Sequence, residues 1–180
     1  TVTPEKPEAP APTVKPEDQP KGLVILNEFY AVDEDAVYVV NETRTAWEEV
    51  DGADRRDFEV IRGQFGRDDD HAYKMGEIVE GADMDSFSVI SARNGYSQDD
   101  DHIYGPAGIV QDADPETFAM ITKDYSKDAD NVFYHGVVID TADPATFEVI
   151  DNGLYATDNK AVFYAGKELR GVPVQGLRVE

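Results

Sequence analysis

The chain has 180 residues, of which 16 are Lys or Arg and 38 are Asp or Glu, so its formal net charge is −22. A surface this acidic repels nucleic-acid phosphates and anionic membranes and favours cationic partners. The absence of cysteine excludes disulfides and thiolate chemistry. Hydrophobic residues make up 41% of the chain, which is typical of a sequence that folds around a core.

Residues 1–21 are predicted to form a flexible spacer. Six of the ten prolines of the chain lie there, at positions 4, 7, 10, 12, 16 and 20. This composition favours an extended polyproline-like path over a packed core. We interpret Thr1 as a processed or truncated start. A tether of this kind suits an envelope protein, such as a lipoprotein of the periplasm or cell surface, whose folded domain does not insert into the membrane.

Residues 22–180 are predicted to form a β-repeat domain. One phrase recurs from Ala53, Ala82, Ala113 and Ala142, with steps of 82 − 53 = 29, 113 − 82 = 31 and 142 − 113 = 29 residues. A fixed period near thirty indicates small units that bury their apolar faces by stacking on one another. The sequence therefore predicts four full repeats and a partial C-terminal one, stacked into a single elongated or curved domain that is mainly β.

Each repeat contains a pattern typical of a β-hairpin. Its first strand begins with an aromatic residue: Tyr30, Phe65, Tyr96, Tyr125 or Tyr155. An aspartate follows three residues later: Asp33, Asp68, Asp99, Asp128 or Asp158. A second aromatic comes five residues after that: Tyr38, Tyr73, Tyr104, Phe133 or Phe163. Aromatic and β-branched residues favour strands, and an aspartate that accepts from the N–H two residues on closes a tight turn.

The remainder of each repeat predicts a glycine turn, one turn of helix and a further strand. Gly76, Gly136 and Gly166 suit a turn that requires positive φ. Asp114 and Asp143, each followed by proline, are placed as helix N-caps. The alternation of residues 147–150 then predicts a strand, so only a single helical turn fits between them.

The first repeat carries an insertion. It has 53 − 38 = 15 residues between its second aromatic and the Ala-Asp phrase, against 82 − 73 = 9 in the next repeat. The insertion contains Arg44 and the only tryptophan, Trp47. We predict either a protruding partner-binding loop anchored by these two residues, or a cap in which Trp47 covers the open end of the core.

The densest acidic segments lie at the hairpin turns. Asp69, Asp70, Asp100 and Asp101 are predicted to contact a partner. Carboxylates two residues apart also suggest calcium ligands: Asp68, Asp70, Asp99, Asp101, Asp128 and Asp130. An EF-hand is excluded, because its glycine position holds Tyr73, Tyr104 or Phe133. No resident cofactor other than this calcium is expected.

The chain resembles the DKNYY repeat family of bacterial proteins. The family's core word, an aspartate, a polar turn, an aliphatic residue and one or two aromatics, reads here as residues 128–134 (DADNVFY) and 158–164 (DNKAVFY). The resemblance covers roughly Tyr30 to Gly166. It implies a bacterial protein, often secreted or linked to the envelope, and it supplies no catalytic residues.

These observations predict a non-catalytic, monomeric module of the cell envelope that binds a basic protein. An immunity or inhibitor protein that occludes a toxin or enzyme is one form of this function. The alternative is a calcium-dependent structural or surface-layer protein without a discrete ligand site. No catalytic motif accompanies the abundant carboxylates, so we predict no enzyme.

Overall fold

The computed structural model describes residues 14–15, 19–150 and 153–174. Within these residues the protein is built of β-strands and turns and contains no helix. It divides into two compact units, residues 1–79 and 80–180. The rest of the predicted N-terminal spacer lies outside the described residues.

Unit 1 contains two four-stranded antiparallel sheets, each ordered as its strands follow in the chain. Sheet 1 consists of β1 (Val24–Ile25), β2 (Tyr30–Val32), β3 (Val37–Val40) and β4 (Trp47–Glu49). Sheet 2 consists of β5 (Glu59–Arg62), β6 (Phe65–Arg67), β7 (Ala72–Lys74) and β8 (Glu77–Ile78).

Unit 2 repeats the same sheet three times. Sheet 3 consists of β9 (Ser88–Ser91), β10 (Tyr96–Gln98), β11 (Ile103–Gly105) and β12 (Gly108–Ile109). Sheet 4 consists of β13 (Ala119–Met120), β14 (Tyr125–Lys127), β15 (Val132–Tyr134) and β16 (Val137–Val138). Sheet 5 consists of β17 (Glu148–Ile150), β18 (Tyr155–Thr157), β19 (Val162–Tyr164) and β20 (Lys167–Glu168). The prediction of a mainly β fold built from repeats of about thirty residues is confirmed.

The predicted helical turn forms only as a single hydrogen-bonded turn. Asp114 begins it as expected, because its Oδ1 accepts from Glu116 N (3.0 Å) and its Oδ2 from Thr117 Oγ1 (2.7 Å). Phe118 N donates to Asp114 O at 2.9 Å, which closes a single turn. The chain then enters β13 at once, so the cap-like contacts produce a hydrogen-bonded turn and no helix.

Neighbouring sheets within a unit pack through rings that the repeat supplies at fixed positions. In unit 1, Phe58 lies between Tyr30 (5.2 Å between ring centroids) and Tyr73 (5.9 Å). In unit 2 the same arrangement occurs twice, as Tyr96–Phe118–Phe133 and Tyr125–Phe147–Phe163. Phe58, Phe118 and Phe147 therefore each join their own sheet to the preceding sheet of the same unit and form the centre of the core.

The glycine turns add a polar link between these sheets. Met75, His135 and Ala165 all have positive φ and each precedes a positive-φ glycine, the geometry of a two-residue type I′ hairpin. Tyr125 Oη in sheet 4 accepts from Gly166 N in sheet 5 at 3.0 Å, as Tyr30 Oη does from Gly76 N at 3.1 Å. A Cβ on Gly166 would lie 2.6 Å from Tyr134 Cβ, so this close approach requires glycine.

In sheets 2 to 5 a buried aspartate connects the two turns at the opposite end of the sheet. Asp128 is only 4% exposed, and its Oδ1 accepts from Asp130 N (2.9 Å) and Asn131 N (2.6 Å). Its Oδ2 accepts from Asp114 N (3.0 Å), at the start of the Ala-Asp phrase. Asp68, Asp99 and Asp158 make the same three bonds. The hairpin turn and the Ala-Asp turn of one sheet are thus held by a single carboxylate.

We predict that Asp128→Ala lowers the free energy of unfolding by about 3 kcal/mol, because it leaves buried backbone N–H groups without an acceptor. Asp130→Ala, which removes an exposed carboxylate two residues away, should change it by less than about 0.5 kcal/mol. Urea unfolding of the two variants measures both effects. Equal losses would show that the buried carboxylate is not what holds the turns together.

Candidate functional site

The exposed carboxylates of sheets 2, 3 and 4 concentrate at one end of the strands. In each of these sheets the Ala-Asp turn and the hairpin turn meet there, and we call this end of a sheet its acidic rim. The exposed acidic residues of these rims include Asp57, Asp69 and Asp70 in sheet 2, Asp83, Asp85, Asp100 and Asp101 in sheet 3, and Glu116 and Asp130 in sheet 4. In sheet 5 the hairpin turn carries Asn159 and Lys160 instead.

The four predicted contact residues lie on acidic rims: Asp69 and Asp70 on that of sheet 2, and Asp100 and Asp101 on that of sheet 3. The sequence analysis missed the acidic residues of the Ala-Asp turns. A bond between residues that are 16 apart in the chain brings them next to the hairpin turn. In sheet 3 this bond runs from Asp83 N to Asp99 Oδ2 (3.0 Å). The recurrence of the Ala-Asp phrase was visible in the sequence, but its position relative to the hairpin turn was not.

The predicted calcium residues divide into two sets with different surroundings. Asp68, Asp99 and Asp128 are 5%, 2% and 4% exposed, while Asp70, Asp101 and Asp130 are exposed to solvent. Within the described residues, no group of three or more His, Asp or Glu side chains is arranged to hold a metal ion. Calcium binding remains a prediction, and it would have to draw on the exposed set.

Hydrogen bonding keeps the buried carboxylates ionised in sheets 2 and 3. Burial raises the pKa of Asp68, but bonds from Asp54 N, Tyr73 Oη and the turn N–H groups outweigh it and leave the pKa below its ordinary value. Tyr73 Oη donates to Asp68 Oδ2 at 2.7 Å, and Tyr104 Oη does the same to Asp99. Because these oxygens already accept two bonds each, the carboxylates act as structural groups.

Asp57 departs from the repeat in a way that places two carboxylates side by side. Its counterparts Ser86 and Thr117 accept a bond from the hairpin turn, at 3.2 Å from Asp100 N and 3.1 Å from Ala129 N. In sheet 2 an acid replaces the hydroxyl next to Asp69. Loss of hydration where the two turns meet, followed by the charges of Asp69 and Asp54, raises the pKa of Asp57.

The insertion of the first repeat packs against sheet 1. Trp47 is 8% exposed and contacts Val14, Ala31 and Val40. Such packing is what the cap interpretation predicts, and it leaves little of the indole exposed to a partner. Arg44 lies beside it: Nη2 donates to Glu28 O at 2.9 Å, and the guanidinium lies 5.3 Å from the centre of the Phe29 ring.

A family model described as the DKNYY family matches residues 65–180. The chain belongs to the DKNYY family. No curated protein and no solved structure gives a significant match. The resemblance is confirmed for residues 65–180, which begin at the second strand of sheet 2. Each element of the DKNYY word now has a position: in residues 128–134 the aspartate joins two turns, and Val132 and Phe133 are fully buried.

The described part of this DKNYY protein has no helix long and apolar enough to cross a lipid bilayer.

We predict that Asp57→Thr stabilises this DKNYY protein more at neutral pH than in acid. A carboxyl whose pKa is raised by folding opposes folding once it ionises, so wild-type stability falls as the pH rises from about 4 through that raised pKa. Threonine removes the charge and supplies the hydroxyl that Thr117 provides in sheet 4. Thermal unfolding at pH 7 and at about pH 3 measures the difference.

Asp85→Thr is the control for this experiment, because it removes the same charge from an acidic rim at a different position in the repeat. A gain from Asp57→Thr that is equal at both pH values, or that Asp85→Thr matches, would contradict the pairing of Asp57 with Asp69.

Proposed function

We propose that this protein is a non-catalytic module of the bacterial cell envelope whose acidic rims bind a basic face of a protein partner. The observation that carries the proposal is that the turn carboxylates fall into two groups with different surroundings. The inner aspartates are occupied by backbone N–H groups, whereas Asp69, Asp70, Asp100 and Asp101 are exposed beside them. Fixed turns thus present charges that the fold itself does not use.

Electrostatics supports a cationic partner. The net charge of −22 steers a basic protein toward the module and accelerates encounter, and this effect weakens with salt over a Debye length of about 10 Å at 0.1 M. The side chains that the acidic rims expose are largely carboxylates, so contact with them would be mainly polar. Such an interface forms quickly and responds strongly to ionic strength.

An inhibitor or immunity protein is the form of this function that we favour. A basic toxin or enzyme that acts on an anionic substrate would meet carboxylates in place of that substrate, and several fixed turns would block its site at once. The proposal of a non-catalytic role rests on the same chemistry. The buried carboxylates, whose environment would otherwise suit acid–base work, are held ionised by backbone donors in sheets 2 and 3.

The proposal predicts salt-sensitive capture of one specific protein from envelope extracts of the same cell or of a competitor. The variant in which Asp69, Asp70, Asp100 and Asp101 are all replaced by Asn should lose this capture at about 20 mM salt, as the wild type should at about 500 mM. Affinity capture followed by mass spectrometry identifies the partner and measures its yield.

The matched control replaces the exposed strand residues Glu48, Glu49, Glu148 and Glu168 with Gln, which changes the net charge equally. It should capture the partner as the wild type does. If both variants lose the partner together, net charge alone is responsible; if neither does, the acidic rims are not the binding surface.

The calcium-dependent structural role is the second candidate, and the recurrence of exposed Asp70, Asp101 and Asp130 next to ordered turns favours it. It predicts that calcium added to metal-stripped protein releases or absorbs heat and raises the melting temperature. Calorimetry and a thermal scan that show neither effect would remove this candidate.

A further inference from the structure

The turns that join the first two strands of sheets 1 and 4 make the same hydrogen bonds at corresponding positions. In sheet 1, Asn27 Oδ1 accepts from the N–H groups of Phe29 and Tyr30, both at 2.8 Å. In sheet 4, Thr122 Oγ1 accepts from those of Asp124 (3.2 Å) and Tyr125 (3.0 Å). The repeat therefore provides its own reference for what this turn requires.

The two turns differ in how they meet the next sheet. In unit 1, Asn27 Nδ2 donates to Gly63 O at 2.7 Å and so closes the gap between sheets 1 and 2. Thr122 has no second polar group to play the part of Asn27 Nδ2. In unit 2 the glycine at the position of Gly63 is Gly153. A cavity of about 410 Å³ remains there, lined by residues that include Ile121, Thr122, Val149 and Gly153.

A buried carboxylate lines this cavity, at the position that Phe29 occupies in sheet 1. Asp124 is 5% exposed, while the corresponding residues of the other sheets are Gln64, Gly95 and Leu154. Because none of these is acidic, the repeat itself does not require a carboxylate here. A buried acid that a fold does not need is costly to keep unless it serves a ligand.

The cation that now neutralises Asp124 is only loosely held. Lys123 Nζ donates to both carboxylate oxygens at 2.7 Å, but the lysine side chain is 73% exposed. His135 Nε2 lies 3.4 Å from Asp124 Oδ1 on the other side. An exposed lysine gives little net stability to such a pair, so another cation can take its place.

We propose that this cavity binds an alkylammonium or alkylguanidinium group, whose charge replaces Lys123 on Asp124. The alkyl part would contact Ile121, Val149 and Ile150, and the charged end would meet Asp124 and Thr122. Gly153 contributes no side chain to the wall, and a Cβ there would lie 3.8 Å from Asp124 Oδ2, in van der Waals contact with the carboxylate. The site lies at the end of the strands away from the acidic rim and does not depend on the proposed function.

Titration with butylammonium and butylguanidinium, followed by NMR of the whole chain, tests the proposal. The wild type should bind at least one of them saturably. Asp124→Asn and Thr122→Asn should each weaken binding at least about tenfold, the first by removing the charge and the second by closing the cavity as Asn27 does in sheet 1. Asp130→Asn, which removes one carboxylate of the acidic rim, should bind as the wild type.

Lys123→Ala provides the sharpest result. If the ligand replaces the lysine, this variant should bind more tightly than the wild type because the internal competitor is gone. Weaker or unchanged binding would overturn the proposal, as would unsaturable binding or equal affinity in Asp124→Asn. A glycine-flanked, end-blocked arginine tripeptide distinguishes the source: its binding assigns the site to side chains of other proteins, and binding of the free compounds alone assigns it to small molecules.

Discussion

One carboxylate in each repeat determines how the remaining parts are arranged. The aspartate of the DKNYY word closes its own hairpin turn through Oδ1 and holds the start of the Ala-Asp phrase through Oδ2. That second bond fixes where the chain enters the first strand of the sheet. In sheet 4 it thereby places Phe118 against Phe133 of its own sheet and Tyr96 of the preceding sheet. A buried charge is tolerated because backbone N–H groups surround it.

The bonding of this aspartate also distinguishes the acidic residue that the turn needs from the exposed acidic residues that follow it. The turn needs only its first aspartate, so the residues after it vary from Asp-Asp in sheets 2 and 3 to Asn-Lys in sheet 5. The fold therefore permits a strongly acidic rim at little cost to its own stability, and that freedom is what the proposed partner binding uses. The pairing of Asp57 with Asp69 shows the limit, since a further acid in the Ala-Asp turn meets the charge of its neighbour.

Departures from the repeat are the most informative positions in the molecule. Thr122 and Asp124 stand where sheet 1 has Asn27 and Phe29, although the backbone hydrogen bonds of the two turns are the same. A residue that breaks the pattern without altering the backbone is not explained by the fold, and it indicates a functional role at that position. Tyr155 is a different case: it is 43% exposed because no described sheet follows it.

The sequence by itself determined the period, the strands of the hairpin, the positive-φ glycine turns, the turn-closing role of the aspartate and the family. These features rest on contacts between residues two to five apart, which spacing in a sequence records directly. Only the tertiary structure decided that Trp47 is buried, that the phenylalanine lies between two other rings, that the Ala-Asp turn stays short of a helix and that a cavity surrounds Asp124. Each of these depends on segments that lie far apart along the chain and meet only through packing, because burial is decided by all the neighbours of a residue together.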